Sequence, residues 1–503
     1  MIPLLGSNKR LCDGISRRDL LHVGGLGCFG VGMTDFLRWK SNAFAAEAAP
    51  SPEITANFGK AKACILLFLF GSPPQHETFD PKPEAPVEVQ GEMKAIPTSV
   101  PGLDICEGLP KSARIMDRVT VIRSMTHPYP LHGVAYALTG MPTYTPAIEA
   151  KPRDPQHWPF LGSVVDYLER PARGQPAAAI PRNMGLPWLM GSKCDLAPLA
   201  GPYAAFLGNT YDPVWTDFDG KGTRVVPKLS DGQTNDVIDP FGGCEPTGKF
   251  RLSATTPLPE MSTGRFELRQ SLLSQFDDRR KWLDSHSGVS TWADHRQSAY
   301  SMLSAGRIRD ALDIHQESPE MRDRYGMTLF GQSCLAARRL VEAGGRFVSV
   351  FWDPFGPFGG SCWDTHANHY PRLKDYLLPV FDQSYAALIL DLEQRGLLDE
   401  TLVLVLSEHG RTPKIDSKPR GAARHHWSRA YSAVMAGGGV AKGRVVGRTD
   451  ESGGDVASNP FSPKDVLTTS LHLLGIDPHA AVPDRLGRPV VAAGDGIVRT
   501  DVL

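Results

Sequence analysis

Four apolar runs recur along the chain without the polar alternation that marks a half-exposed strand. They are ACILLFLFG (63–71), RVTVIRSM (118–125), RFVSVFW (346–352) and TLVLVLS (401–407), with a weaker fifth, SAVMAGGG (432–439). Continuous runs of this kind are typical of strands that are covered on both faces, as in a parallel sheet. The pattern therefore predicts a buried central sheet.

Helical periodicity separates these runs. Apolar residues recur on one face of 372–395, with Pro371 before the segment and Gly396 as the expected C-cap. The segment QSCLAARRLVEAGG leads into the strand at 346, and another helix is expected to begin after Ser462 as N-cap. The alternation predicts an α/β layered fold with a largely parallel central sheet and helices on both faces. We expect one domain over 46–503, with a loop-rich insertion at 170–260, where Gly, Pro and Asp are frequent.

The first 45 residues have the order of a twin-arginine export signal. A pair of arginines in SRRDLL precedes a glycine-rich, mildly apolar stretch and a small-residue site, AFA, at 43–45. Five glycines, His22 and Asp35 argue against a membrane anchor, which needs about 20 strongly apolar residues. The sequence therefore predicts a periplasmic or extracellular protein with no stable membrane span after signal removal.

Composition narrows the classes of partner. A formal charge of −1 over 503 residues gives no electrostatic reason to expect nucleic acid, and 41% apolar with 22% charged residues is typical of a globular chain. The sequence has eight cysteines but no C-x-x-C pair, which argues against a cysteine zinc site.

Histidines and acids concentrate directly after the apolar runs. In open α/β sheets, functional residues gather beyond the carboxyl ends of the strands. Eight of the fifteen histidines lie in these places: His76, His127, His132, His366, His369, His409, His425 and His426. Scattered solvated histidines would have no reason to follow strands, so this distribution indicates a functional site.

The residue types at these strand ends suit a divalent metal. Asp364 and His366 follow the third run, and Glu408 and His409 follow the fourth. Carboxylate oxygen with imidazole nitrogen suits zinc, with manganese or calcium as alternatives. In the HHW segment at 425–427, one histidine is expected to bind metal and the other to support it or face solvent.

Enough ligands are present for two metals about 4 Å apart, a pair that would clamp the oxygens of a phosphate or sulfate ester. We expect one metal to be held by Asp364, His366 and His426. The second would face Glu408, His409 and an acid after the first run, with Glu77 preferred over Asp80.

Several hydroxyls are candidate nucleophiles, and the sequence does not choose among them. Ser124 and Thr126 lie at a strand-to-helix junction, where backbone N–H groups can hold an anion, while Ser72 and Thr78 follow the first run. An activated water is the further alternative. Arg411, two residues after His409, is the candidate oxyanion clamp.

Several longer stretches resemble known families. The segment DQSYAALILDLEQRGLLDETLVLVLSEHG resembles the alkaline phosphatase superfamily, in which the acid and the residue that follows it bind metal. The segments LFLFGSPPQHETFDPKP, VTVIRSMTH, WDTHANH, EHGRTP and HHW resemble the exported domain-of-unknown-function family 1501. The resemblance implies a sulfatase-like α/β fold and metal binding at Glu408 and His409.

The chain departs from this family's usual pattern at several positions. Pro74 and Glu77 stand where members usually have Ser and Asp, and His409 and His425 stand where Phe and Asp are common. The C/S-x-P-x-R segment from which sulfatases form formylglycine is missing, so ordinary sulfatase chemistry is not expected.

Together these features favour an exported metal-dependent hydrolase that acts on a phosphate or sulfate ester of a small molecule or polysaccharide. The alternative is a noncatalytic exported binding or surface protein that retains the sulfatase-like fold. Pro74 and the lack of one clear nucleophile favour the alternative, whereas Asp364, His366, Glu408 and His409 favour the enzyme.

Overall fold

A computed structural model describes residues 56–129, 133–141, 146–154, 156–170, 180–195, 200–230, 233–252, 306–356, 362–417 and 422–503. Asn57–Leu503 form one compact unit. The export signal predicted at 1–45 lies outside the described residues and stays a prediction. None of the helices in the described ranges is both long and apolar enough to cross a membrane.

The strands that the structure describes are, in chain order, β1 (Ala63–Leu69), β2 (Ala95–Pro97), β3 (Asp104–Cys106), β4 (Val119–Met125), β5 (Asn183–Leu186), β6 (Val214–Asp219), β7 (Val225–Ser230), β8 (Gln233–Ile238), β9 (Lys249–Leu252), β10 (Phe347–Trp352), β11 (Thr401–Leu406), β12 (Gly410–Arg411), β13 (His426–Trp427), β14 (Tyr431–Ala436), β15 (Arg444–Val446), β16 (Arg448–Thr449), β17 (Val456–Ser458), β18 (Ala481–Pro483) and β19 (Pro489–Val491).

The helices in the same ranges are α1 (Val87–Gln90), α2 (Pro110–Ala113), α3 (Val134–Thr139), α4 (Pro146–Glu149), α5 (Leu161–Glu169), α6 (Gly306–Leu312), α7 (Pro319–Tyr325), α8 (Leu329–Glu342), α9 (His369–Arg372), α10 (Leu378–Gln394) and α11 (Pro463–Leu473). Short 3₁₀ turns lie at Met116–Arg118, Ala205–Leu207, Asn209–Tyr211, Ile314–Gln316, Leu398–Glu400 and Thr500–Val502.

Nine strands form the central sheet in the order β15-β4-β14-β11-β1-β10-β5-β6-β9. The middle of the sheet, β11-β1-β10-β5-β6, is parallel throughout. Only β14 and the edge strand β9 run against their neighbours in this sheet of the described chain. The predicted α/β fold with a largely parallel sheet is confirmed, and all five apolar runs contribute strands to it.

Both faces of the sheet are covered, which explains the lack of alternation. Every residue of β1, β10 and β11 is buried. Val348 belongs to the main apolar core together with α8 and α10. Its neighbour Phe347 points to the other face, where its ring packs against Phe160 at the start of α5. A strand that packs helices on both sides needs apolar residues at every position.

The structure describes only part of the predicted loop-rich insertion at 170–260. The described part supplies β5, β6 and β9, which extend one side of the central sheet, and the hairpin β7-β8. The sequence does not indicate these strands because they are short or partly exposed and lack a long apolar run. Glycine, proline and aspartate in the connections masked the strand signal.

The helix predicted at 372–395 is confirmed, with a change of helix type near its start. A π-helical segment, Leu373–Leu377, joins α9 to α10. Pro379 has no N–H to donate to the carbonyl four residues earlier, at Asp375. Arg224 Nη2 donates to that carbonyl instead, at 2.7 Å. The N-cap predicted at Ser462 is also confirmed, because Ser462 and Asp465 form a reciprocal capping box on α11.

The carboxyl ends of β1, β4, β10 and β11 lie at one edge of the sheet. Strands β1, β10 and β11 are mutually parallel. Strand β4 runs in the same direction, since both β4 and β11 are antiparallel to β14. The residues after these strands, including those rich in histidine and acid, therefore approach each other at this edge.

Candidate metal centre

Three side chains bring one ligand atom each to the same point. His366 Nε2 lies 2.9 Å from Asp364 Oδ1 and 2.9 Å from His426 Nε2. The third side of the triangle, from His426 Nε2 to Asp364 Oδ1, is 3.3 Å. Two ligands on one tetrahedral zinc ion lie about 3.3 Å apart, given bonds of about 2.0–2.1 Å. The spacing therefore fits a shared divalent cation, and we refer to Asp364, His366 and His426 as the ligand triad.

Two loops at the carboxyl edge position this triad. Asp364 and His366 follow β10, and the backbone of Asp364 packs against Gly71 after β1. A side chain at Gly71 would bring its Cβ to 2.3 Å from the Asp364 nitrogen, so this close approach requires glycine. His426 lies in β13, directly opposite Arg411 of β12, which continues the chain from β11.

The triad is accessible from solvent. The side chains of His366, Asp364 and His426 are 39%, 25% and 22% exposed. The ring of His409 adjoins this group, with its centroid 4.6 Å from that of His426, and His409 itself is buried. Its Nδ1 lies 2.8 Å from the Gly410 carbonyl. The structure thus places the buried imidazole of His409 next to the partly exposed triad.

Arg411 does not have the role of an exposed oxyanion clamp. It is fully buried, and its Nη2 donates to the Asp364 carboxylate and to the Gly71 carbonyl. Its Nε donates to the Ser72 carbonyl at 3.0 Å, and its Nη1 to the Arg424 carbonyl at 3.2 Å. Because all three nitrogens are engaged, Arg411 orients and neutralises Asp364 and has no free face for a substrate.

Glu408 lies outside the triad. The residue is completely buried, and its Oε1 accepts a 2.8 Å hydrogen bond from the Gly71 N–H. Its Oε2 accepts from Ser407 Oγ at 2.8 Å, and His127 Nε2 lies 2.7 Å from its carbonyl oxygen. Its carboxylate joins the ends of β11 and β1, and metal binding by Glu408 stays a prediction.

Glu77 is likewise committed elsewhere. Its Oε1 accepts from Arg424 Nη2 at 2.7 Å and Nε at 3.1 Å, and His369 Nε2 lies 3.4 Å from Oε2. Burial opposes ionisation of this carboxyl, but Arg424 and His369 outweigh it and hold the Glu77 pKa below its ordinary value. The second metal set predicted from Glu408, His409 and Glu77 is therefore not assembled among the described residues.

Two of the four candidate nucleophiles, Ser124 and Thr126, also lie away from the triad. Ser124 is completely buried, and its Oγ donates to the Asn459 carbonyl at 2.6 Å. Thr126 lines two clefts of about 310 and 590 Å³, both of which it shares with Arg429. Ser124 and Thr126 therefore face the segment around β17. The pattern of apolar and polar residues in the sequence does not reveal this direction.

Sequence reasoning missed two residues that shape the site. Arg424 is fully buried and anchors the loop that carries His425 and His426. Asp416 lies 3.3 Å from His425 Nε2 through its Oδ2. For Arg424, the sequence signal was its position directly before the histidine pair 425–426. For Asp416, no feature of the neighbouring sequence indicates that His425 is its partner.

The chain belongs to a family of proteins of unknown function, DUF1501, whose model matches residues 61–503. This is the family that the sequence motifs indicate. No curated protein matches the chain significantly.

Several solved structures are similar over most of the chain. A sulfatase, PsFucS1, from Pseudoalteromonas sp. has a TM-score of 0.40 and 12% identity, covering 90% of this chain and 76% of its own. The lipoteichoic acid synthase LtaP from Listeria monocytogenes has a TM-score of 0.34 and 9% identity, with coverage of 87% and 76%. The phosphonate monoester hydrolase SpPMH from Silicibacter pomeroyi has a TM-score of 0.32 and 9% identity, with coverage of 86% and 77%.

Proposed function

We propose that this DUF1501 protein is an exported metal-dependent hydrolase that cleaves a phosphate or sulfate ester. The observation that carries the proposal is the convergence of Asp364 Oδ1, His366 Nε2 and His426 Nε2 within 2.9–3.3 Å of one another. Two imidazoles and one carboxylate make zinc the first choice of cation, with manganese or calcium as alternatives.

A divalent cation at this place would supply Lewis acidity toward an ester oxygen and toward water. The chain's own contribution is to hold the three ligands and to set the charge of the site. Arg411 offsets the negative charge of Asp364 and fixes its orientation through four other contacts in the same buried pocket. Partial exposure of His366 leaves a path for an anionic ester.

Water is the proposed attacking group. Ser124 is buried against Asn459, and Thr126 faces the clefts beside Arg429, so neither hydroxyl has a contact with the ligand triad. The missing C/S-x-P-x-R segment also disfavours a formylglycine nucleophile. We propose a small-molecule or polysaccharide ester as the substrate, reached after twin-arginine export to the periplasm or the exterior.

Metal content and turnover of the mature chain test this proposal. We expect about one equivalent of metal in the purified protein and hydrolysis of an aryl phosphate or aryl sulfate. Asp364→Asn and His366→Ala should lose both the metal and the turnover. The matched controls are Asp477→Asn and His479→Ala, an exposed acid–histidine pair whose removal should change neither. A metal-free protein without turnover after reloading with zinc, manganese or calcium would refute the enzyme.

A noncatalytic surface protein is the second candidate, and one observation favours it. Arg411 is fully buried and pairs with the Asp364 carboxylate. Its guanidinium balances the negative charge of Asp364, as expected of a structural polar cluster. Metal binding without turnover of any ester would support this candidate over the enzyme.

A further inference from the structure

A chain of hydrogen bonds leads outward from the ligand triad. His366 Nδ1 lies 2.9 Å from His425 Nδ1, and His425 Nε2 lies 3.3 Å from Asp416 Oδ2. The two histidine rings are tilted by 32° with centroids 5.2 Å apart. Asp416, His425 and His366 thus form a continuous series that ends at His366 Nε2, inside the triad.

The backbone fixes the middle member of this series. His425 N–H donates to Thr412 Oγ1 at 3.0 Å, and Thr412 N–H donates back to the His425 carbonyl at 2.8 Å. Asp416 and Ala423 exchange two backbone hydrogen bonds of 2.9 Å. The ring of His425 is therefore held between Asp416 and His366 by main-chain bonds on both sides.

We infer that Asp416 and His425 are positioning residues that set the tautomer of His366 and so present its Nε2 lone pair to a cation. This inference rests on the proposed metal centre. An ionised carboxylate can only accept hydrogen bonds, so His425 must direct Nε2–H to Asp416. The bare Nδ1 of neutral His425 then accepts the proton of His366 Nδ1–H, which leaves His366 Nε2 unprotonated.

The far end of the series agrees with this assignment when a cation is bound. His366 Nε2 lies 3.4 Å from Arg411 Nη1, which can only donate, and 2.9 Å from Asp364 Oδ1, which can only accept when ionised. A lone pair at Nε2 suits Arg411, and it suits Asp364 when a cation lies between the two ligand atoms. Metal-binding histidines usually fix their tautomer through the second ring nitrogen, and loss of such a partner costs about 10–100-fold in metal affinity.

Position 425 offers a test by rescue. His425→Ala removes the acceptor of the His366 Nδ1 proton and should weaken zinc binding about 10–100-fold. His425→Asp provides a carboxylate that can only accept, so it imposes the same tautomer directly and should restore affinity to within about threefold of wild type. Asp416→Ala should weaken binding in the same direction as His425→Ala. His479→Ala, an exposed histidine beside Asp477, is the matched control and should have no effect.

The tautomers can be read by NMR in the zinc-loaded protein. In zinc-loaded protein labelled with ¹⁵N-histidine at pH 8, where an ordinary histidine is neutral, we expect His366 to carry its proton on Nδ1 and His425 on Nε2. The His425 signal is assigned by its loss in His425→Ala. In Asp416→Ala, the His425 signal should move toward a mixture of tautomers.

These readouts separate the inference from the proposed function. The expected tautomers in a zinc-bound chain that turns over no ester would support the hydrogen-bond series and refute the enzyme. Bound zinc with the proton of His425 on Nδ1, or zinc affinity that is equal in His425→Ala and wild type, would overturn the inference and leave the metal centre standing.

Discussion

Glu77 and Arg424 form an ion pair whose side chains are 1% and 0% exposed. The guanidinium also donates to three backbone carbonyls, those of Thr412, Pro413 and Val89. A buried charge with this many partners is costly to leave unpaired, because the interior cannot replace its lost solvation. The pair therefore holds the loop before His425 and His426 in place.

Glu77→Ala should lower the free energy of unfolding by about 3–5 kcal/mol, because it leaves the Arg424 charge buried and uncompensated. Urea unfolding measures the change. Glu400→Ala removes an acid paired with Lys62 at the surface and should cost under about 1 kcal/mol.

The same variant separates a structural role from metal binding. Folded Glu77→Ala should retain the zinc content of the wild type, since its carboxylate is bonded to Arg424. Loss of zinc with unchanged stability would contradict this account and return Glu77 to the set of ligands predicted from the sequence.

At the scale of elements, Asp353 joins the ends of two neighbouring parallel strands. It follows β10, and its Oδ2 accepts from Trp188 Nε1 at 2.9 Å and from the Gly191 N–H at 3.0 Å in the segment after β5. The carboxyl is completely buried without a basic partner among its described hydrogen bonds. Burial raises the Asp353 pKa to about 7, against the opposing effect of these two donors.

This shift predicts a pH dependence of stability with a definite sign. The unfolded chain loses the Asp353 proton near pH 3.9, but the folded chain keeps it until about pH 7. Between these values the folded state binds more protons, so its stability falls by about 1.4 kcal/mol per pH unit as the pH rises. Asp353→Asn should remove this slope, whereas the exposed Asp477→Asn should keep it. Equal slopes in wild type and Asp353→Asn, measured by urea unfolding from pH 4 to 7, would disprove the assignment.

The elements also explain which parts of the fold the sequence can predict. Strands β1, β10 and β11 are covered on both faces, so burial forces an apolar run that is visible without a structure. Strand β5 has only four residues, Asn183–Leu186, and β6 alternates with polar positions. Because they take their stability from neighbours distant in sequence, their own residues carry too little signal.

At the scale of the whole molecule, the same limit applies to the site. Parallel strands bring their carboxyl ends to one edge, so the sequence can indicate that Asp364, His366 and His426 approach each other. The sequence cannot indicate which acids form ion pairs with arginines. Glu77 and Arg424 are 347 residues apart in the chain, and only the folded arrangement makes them partners.

The ligand triad joins His426 to residues that lie 60 and 62 positions earlier in the sequence, so a bound cation should stabilise the folded state as a whole. His366 and His426 are brought together by folding and are separate in the unfolded chain. A ligand that binds only the folded form at 100 times its Kd adds about 2.7 kcal/mol to the free energy of unfolding. We therefore expect zinc to raise the unfolding midpoint of the mature chain and a chelator to reverse the rise. His366→Ala should abolish the zinc-dependent rise, and His479→Ala should preserve it. A rise of equal size in His366→Ala would mean that zinc binds somewhere else on the protein.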